Sequence, residues 1–520
     1  MRSALTCSVL LACVLLTGPT VPAADTTDDT LTLYTRSRVE NPVEKGKFKI
    51  VYNTVRWDPK KTAIVICDMW DKHWCTSATQ RVAEMAPRMN RVISEARKRG
   101  VLIIHSPSGT MDKYEDTPGR KLAQQAPKVE TKVPLKGWCH LDPKREPPLP
   151  IDDSDGGCPE PECKSHRAWS RQIDTLTIEP GDAVTDSTEA YYLVEQRGIE
   201  NLIVMGVHTN MCVLGRPFGI RQMVYQGKNV LLMRDMTDSM YNPRRRPEVS
   251  HVRGTELVIE HIEKYWCPTV TSSDLLGGPA FRFKQDTRPH VAMLVSDDHY
   301  HADKTLPVFA QMLRERYGCY CTLLHGQGTA DIPATAELDA ADCLVLFIRR
   351  LALPDEQLAR VRKYLDSGGA LVGLRTASHA FDCQGKATEG HAEWAEFDAQ
   401  VLGGNYHGHG SNQAGTDVAV VADQADHPIL AGVEPRTWHS TGSLYFTSPV
   451  ADNATVLMTG ALGDRVEPLT WARPHQGGRV VYSGLGHPDD FNDPQFRTLL
   501  VNAIFWAMDR TKAVAGNGSQ

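Results

Sequence analysis

From residue 62 onward the apolar positions follow two alternating rhythms. Ala63-Ile64-Val65-Ile66-Cys67 is continuously apolar, as a strand buried on both faces must be. Residues 82–100 carry apolar side chains at helical spacing, end in Arg97-Lys98-Arg99 and stop at Gly100. That pattern predicts a helix with cations at its C-terminus. Residues 101–104 form the next strand. A long aperiodic stretch follows, rich in Pro and Asp between Glu146 and Cys163. The rhythm returns with a helix over 188–197 and strands over 201–205 and 228–233. Strands alternating with helices predict a parallel sheet joined by right-handed crossovers.

Around Gly277-Gly278-Pro279 the periodicity lapses and a linker is expected at 276–288. Strands then follow at 291–295, 343–347 and 370–374, and helices at 306–317, 355–366 and 494–508. The chain therefore reads as α/β, with two three-layer α/β/α domains over 31–275 and 289–510, mainly parallel sheets, and a polar tail over 511–520. A length of 520 residues suits two domains.

Before residue 24 the pattern is that of an address. A basic start at Arg2 leads into an apolar run over 4–16, and Val21-Pro22-Ala23 supplies small residues for cleavage after Ala23. That run is too short to span a bilayer. An exported chain, periplasmic or secreted, is the expectation. The net charge of −6 has no long single-sign run, which excludes a nucleic-acid binder; Arg244-Arg245-Arg246 reads as a solvated turn.

Export bears on the thirteen cysteines. Cys7 and Cys13 leave with the leader, and the odd remainder leaves at least one thiol unpaired within the chain. Cys139, Cys158 and Cys163 lie in the aperiodic stretch and form the favoured disulfide cluster, since such a loop gains from a covalent staple. The competing reading is a metal site from Cys139, His140, Cys158, Cys163 and His166, whose spacing does not match a compact zinc knuckle. No metal or cofactor is expected.

Ligands of parallel sheets bind beyond the carboxyl ends of the strands. Asp68 follows the first strand, and Cys212 follows a later one in Gly206-Val207-His208-Thr209-Asn210-Met211-Cys212-Val213. A thiol at a helix start has part of what a nucleophile needs, and the neighbouring N–H groups could receive an oxyanion. On the residues alone, a structural cysteine and a capping aspartate fit equally well.

The segment 203–213 resembles the nucleophile motif of the isochorismatase-like cysteine hydrolases. Cys67-Asp68-Met69 resembles the motif of that superfamily's acidic residue, and 227–238 its next strand and Asp-rich turn. The resemblance covers about residues 60–270. It implies a Rossmann-like fold, hydrolysis of C–N bonds in amide-like small molecules, Cys212 as nucleophile and Asp68 as its proton partner. It also implies His208, Thr209 and Met211 at the substrate or oxyanion, and a cis-prone peptide before Thr209. One departure stands out: the superfamily's catalytic lysine has no counterpart, and Asp186 or Glu179 takes its slot. An anion there would disfavour a thiolate. A cation from the insertion is expected instead, Lys136 ahead of Lys132, with His208 as a second helper. His105 reads as a satisfied strand-end histidine. Asp152, Asp153 and Asp155 read as a solvated turn ahead of a calcium site.

In the second half, Gly368-Gly369-Ala370-Leu371-Val372-Gly373-Leu374-Arg375-Thr376-Ala377-Ser378-His379 runs a strand into a tight turn with Arg375 at the elbow. With Gly403-Gly404-Asn405-Tyr406-His407-Gly408-His409 and Gly484-Leu485-Gly486-His487, it resembles the ThuA-like (trehalose-utilisation) domains over about 289–508. This implies a flavodoxin-like or class I glutamine amidotransferase-like fold and a link to sugars. Arg375 is no nucleophile, so glutaminase activity is not expected. Arg375, His379, His407, His409 and His487 are candidates for a polar pocket holding a sugar or, through the four histidines, a metal, with scattered structural histidines as the equal alternative. The whole reads as an exported thiol hydrolase acting on a small molecule, with a sugar-linked second domain. The alternative is a non-catalytic carbohydrate- or small-molecule-binding protein on a degenerate hydrolase fold. Either form could assemble as a homo-oligomer.

Overall fold

The computed structural model describes residues 30–297, 299–326 and 331–510; the leader expected at 1–23 and the tail at 511–520 lie outside them. The first half is built on an eight-stranded sheet. Its strands are β1 (Leu31–Glu40), β2 (Phe48–Trp57), β3 (Thr62–Cys67), β4 (Leu102–Ser106), β5 (Ala183–Val184), β6 (Asn201–Val207), β7 (Asn229–Asp238) and β8 (Thr269–Val270). Their order is β2-β1-β8-β7-β6-β3-β4-β5. The ladder from β5 to β8 is parallel, and the β1–β2 hairpin adds to it antiparallel.

Residue alternation along the buried strands divides the core between the two faces. Ile64, Ile66, Ile103, Ile203 and Met205 pack against α1 (Thr76–Lys98), through Met85, Met89, Val92 and Ile93. Val65, Ile104, Leu202 and Val204 face the other way, onto Leu193 and Val194 of α3 (Glu189–Gln196), Met223 of α4 (Ile220–Tyr225) and Ile262 of α5 (His251–Tyr265). The short helix α2 (Pro118–Gln124) belongs to the long insertion between β4 and β5. The insertion is anchored at Glu146. This buried carboxylate accepts from Arg221 Nε, His261 Nε2 and Trp266 Nε1, each at 2.7 Å.

A turn of helix at Ser273–Leu276 precedes the expected linker. The linker runs along both halves: Phe281 N–H donates to Asp235 Oδ2 (3.0 Å) and Ala280 N–H to Glu337 Oε1 (2.9 Å). The second half has a nine-stranded sheet. Strands Tyr320–His325, His290–Ser296, Cys343–Ile348, Ala370–Leu374 and Gly478–Ser483 are parallel, in that spatial order. Arg465–His475, Thr455–Leu462, Thr416–Val420 and Thr437–Ser440 continue it antiparallel. The expected parallel sheet is thus half of a mixed one. Helices Ala302–Tyr317 and Pro494–Ala507 cover one face and Asp355–Asp366 the other. Both halves are three-layer α/β/α. Among the described residues no helix is long and apolar enough to cross a membrane.

Candidate active site

Two strand ends meet at the carboxyl edge of the first sheet. Asp68, the first residue beyond β3, has φ 49°, a left-handed conformation that costs an ordinary side chain energy and turns the carboxyl in over the sheet. Its N–H donates to Ser106 O (3.1 Å), and its Oδ1 accepts from Ser108 N–H (2.8 Å). Beside it β6 ends in a cis peptide between Val207 and His208, one bond earlier than expected. The next turn, Thr209–Val213, carries Cys212. Gly206 allows this approach: a Cβ there would lie 2.1 Å from Cys67 O. Thr209 Oγ1 lies 2.7 Å from Thr237 Oγ1, and Thr237 Oγ1 donates to Gly206 O. Asn210 is clamped to Met240 through both backbone groups.

A cation stands one helical turn beyond Cys212. Arg216 N–H donates to Cys212 O (3.0 Å), which places the guanidinium one turn further on. Its Nε faces Asp68 Oδ2 at 3.5 Å. The Cys212 thiol lies beside both groups, and apart from this ion contact Asp68 Oδ2 and Arg216 Nε are buried without a hydrogen-bond partner. Burial pushes the Asp68 carboxyl up from its ordinary value; Arg216 and then Cys212 oppose the shift. Cys212 is buried, with 8 % of its surface exposed. A second thiol, Cys67, touches it; burial above all, then Cys212 and Asp68, hold Cys67 far above the usual thiol range.

The cation facing Asp68 is Arg216, not an insertion lysine. Lys132 and Lys136 are exposed, and their backbone N–H groups are tied to Gln226 and Gln222 of α4 and its cap (3.1 and 2.9 Å). That path carries Lys132 toward Gly227, at the far end of β7 from the site. What the insertion brings is aromatic. Trp138 packs on Gly215 with Arg216 5.4 Å from its ring, and Trp169 stacks on Trp70 at 4.2 Å. His208 is buried against His73 (4.9 Å), its Nε2 unpartnered, and burial holds it neutral, well below the usual histidine range. Met211 N–H donates to His208 O (3.0 Å) and is therefore taken, not open to an oxyanion. Of the two slots for the missing lysine, Asp186 caps Gly109 N–H (2.8 Å) at this edge, while Glu179 sits on an exposed turn.

His105 is satisfied by Gln172 Oε1 (2.9 Å) and Asp182 Oδ2 (3.2 Å). Asp153 and Asp155 bind Asn210 and Asn242 (2.7 and 2.9 Å). All eleven described cysteines are free thiols. Cys139 stands apart from Cys158 and Cys163, donating to Gln222 Oε1 (3.3 Å), which corrects the expected cluster. The residue that joins Cys158 and Cys163 is Cys75, with Glu160.

In the second half Arg375 also sits at a strand end, at φ 43°. Its buried guanidinium donates to Gly484 O (2.8 Å), Ser443 O (3.2 Å) and Ser443 Oγ (3.1 Å), between the rings of Tyr300 (4.2 Å) and Tyr445 (4.6 Å). His379 stacks on Tyr406 (4.5 Å); His409 lies 6.1 Å from Tyr445 and His487 6.2 Å from Tyr300. These three gather round Arg375. His407 turns instead to Phe446 and Arg465.

Residues 291–507 match the ThuA (trehalose utilisation) family model, and the C-terminal half is a ThuA-like domain. A ThuA-like protein from Bacteroides uniformis is similar at 19% identity over 44% of this chain and 95% of its own, with a TM-score of 0.34. A cysteine hydrolase from Pseudomonas syringae pv. phaseolicola is similar at 16% identity over 43% of this chain and 94% of its own, with a TM-score of 0.28. An isochorismatase family protein from Burkholderia thailandensis gives 16% identity, 42% and 94% coverage and a TM-score of 0.24. No curated protein matches the sequence.

Proposed function

We propose that the N-terminal domain is a thiol hydrolase that cleaves a C–N, amide-like bond of a small molecule. One observation carries this reading: a buried thiol, an acid made weak by burial and a guanidinium meet at one sheet edge, where Asp68 Oδ2 and Arg216 Nε face each other at 3.5 Å and neither has a hydrogen-bond partner. In the reaction Asp68 takes the proton of Cys212, and the sulfur attacks the carbonyl carbon. The charge that develops on the carbonyl oxygen is stabilised by Arg216. Asp68 returns the proton to the leaving nitrogen as the C–N bond breaks. Water then attacks the thioester, with Asp68 again taking a proton, and the acid product and free thiol are released.

The cation beside the thiol supports this reading over a degenerate binding protein, because a guanidinium there suits a thiolate and a developing oxyanion. The ThuA-like domain would hold a small polar ligand, a sugar by family resemblance, around Arg375, His379, His409 and His487. Export is proposed with it, on the leader-like pattern of the first residues. The test is turnover by the full chain on a panel of simple amides and ureido acids, with ammonia or amine release as readout. Iodoacetamide and Cys212→Ser should each abolish it, with thermal stability little changed. Full turnover by Cys212→Ser would move the chemistry elsewhere.

A further inference from the structure

Close to this site, but not part of it, three thiols and a carboxylate converge. Cys75 caps the N-terminus of α1 without using its side chain in the cap. Cys158 and Cys163 come from the insertion, more than eighty residues later. One ligand atom from each of Cys75, Cys158, Cys163 and Glu160 lies within 4.8 Å of all the others. The Cys158 and Cys163 thiols both donate to Glu160 Oε2, at 3.0 Å. The same carboxylate accepts from the first N–H groups of α1, Thr76 at 3.0 Å and Ser77 at 2.8 Å. Cys75 is fully buried and Cys158 nearly so. Glu160 makes no ion pair with Lys or Arg among the described residues.

We propose that Cys75, Cys158, Cys163 and Glu160 form a structural zinc site. Four donors around one point are one more than a disulfide with a hydrogen-bonded acid needs. A disulfide would consume two sulfurs and strand the third thiol in a buried cluster. Zinc bonds sulfur at about 2.3 Å, so a tetrahedral site sets its sulfurs about 3.8 Å apart. The observed cluster needs only a small contraction to reach that. Three soft sulfurs exclude calcium and magnesium, which take oxygen, and favour zinc among the abundant divalent ions. On binding, the three S–H protons leave for solvent, three Zn–S bonds and one Zn–O bond form, and no electron changes hands. The thiolates and carboxylate left around the ion face the positive end of a 23-residue helix.

The position gives the metal a task. Cys75 ends the segment that starts at Asp68 and carries Trp70 and His73. Cys158 and Cys163 belong to the insertion that brings Trp169 over Trp70. The ion would staple this roof to the helix beneath, without touching Cys212, so the inference does not depend on hydrolase activity.

The test is made on the full chain, purified under reducing conditions, with zinc sulfate as the probe and metal content read by mass spectrometry. One zinc per chain is expected. Cys158→Ser/Cys163→Ser should lose more than nine-tenths of it, and Cys139→Ser should keep it. Cys75, Cys158 and Cys163 should resist iodoacetamide until a chelator is added. Should the double variant fail to fold, cobalt substitution of the unaltered chain decides: intense near-ultraviolet thiolate-to-cobalt absorption is expected. Failure to retain zinc from an excess, with all three cysteines alkylated freely, would overturn the proposal. So would a disulfide joining two of them in the protein as isolated from its native compartment.

Discussion

Replacing Glu146 with glutamine changes one charge and hardly any volume, at the point where the insertion is anchored. The carboxylate is buried and accepts three hydrogen bonds at 2.7 Å, from Arg221, His261 and Trp266. Burial alone would raise its pKa, but the bonds from His261, Arg221 and Trp266 and the Arg221 charge outweigh it and bring the value down to about 2 from an ordinary 4.5. Because the folded value is depressed, the ionised group stabilises the fold above the unfolded value, and that contribution is lost as pH falls toward 2. A shift of this size corresponds to about 3 kcal/mol at pH 7, of which about 2 kcal/mol is lost between pH 5 and pH 3. Glu146→Gln also strands the nearly buried Arg221, so the neutral-pH loss should be no smaller. Urea unfolding of both forms, followed by the fluorescence of the N-terminal domain at pH 7, 5 and 3, measures it. The gap between wild type and variant should narrow toward acid. A gap that is equal at pH 7 and pH 3 would refute the electrostatic account and leave only altered packing.

Two further substitutions probe the two strand ends. Arg216→Met removes a charge 3.5 Å from Asp68; at an effective dielectric near 20 this interaction is about 5 kcal/mol, and partial exposure reduces it to on the order of 1–3 kcal/mol. Alkylation of Cys212 and turnover at pH 7 should both fall about tenfold to a hundredfold, and unchanged rates would remove Arg216 from the mechanism. Arg375→Met deletes hydrogen bonds to Gly484 and Ser443 and two ring contacts, and should cost the C-terminal domain on the order of 3 kcal/mol by calorimetry. A loss under about 1 kcal/mol would mean that the guanidinium serves a ligand more than the fold.

The buried parallel strands were legible because every residue of Thr62–Cys67 and Cys343–Ile348 is inside, and helix Asp355–Asp366 because its apolar stripe is regular. The antiparallel half of the second sheet was not. Strands Thr455–Leu462 and Arg465–His475 mix polar and apolar residues on partly exposed faces. Their signal was the turn between them, where Gly463 sits at φ 58°. The β1–β2 hairpin escaped for the same reason: only Leu31, Leu33 and Thr35 alternate inward before the strand reaches solvent. At the site, Asp68 and Cys212 are legible from their motifs, whereas the cation facing Asp68 is not in either motif. Arg216, four residues after Cys212, was within reach of helical periodicity. Cys75 was beyond any local pattern, since only the tertiary fold brings it to Cys158.

Asp68 and Arg375 occupy the same kind of place in the two halves: the first residue past a central strand, held at positive φ. Selection for thermal tolerance alone would act on that shared geometry. Glycine relaxes such a backbone, and asparagine at position 68 would also spare a buried negative charge while keeping an acceptor for Ser108. At Asp68 that relief is opposed by the loss of the Arg216 ion contact at 3.5 Å, and with glycine of the Ser108 bond too, so the net change in melting temperature is small while the proposed reaction loses its proton carrier. Robustness and the proposed chemistry meet at one and the same backbone torsion, and a library screened on melting temperature would be blind to the chemistry.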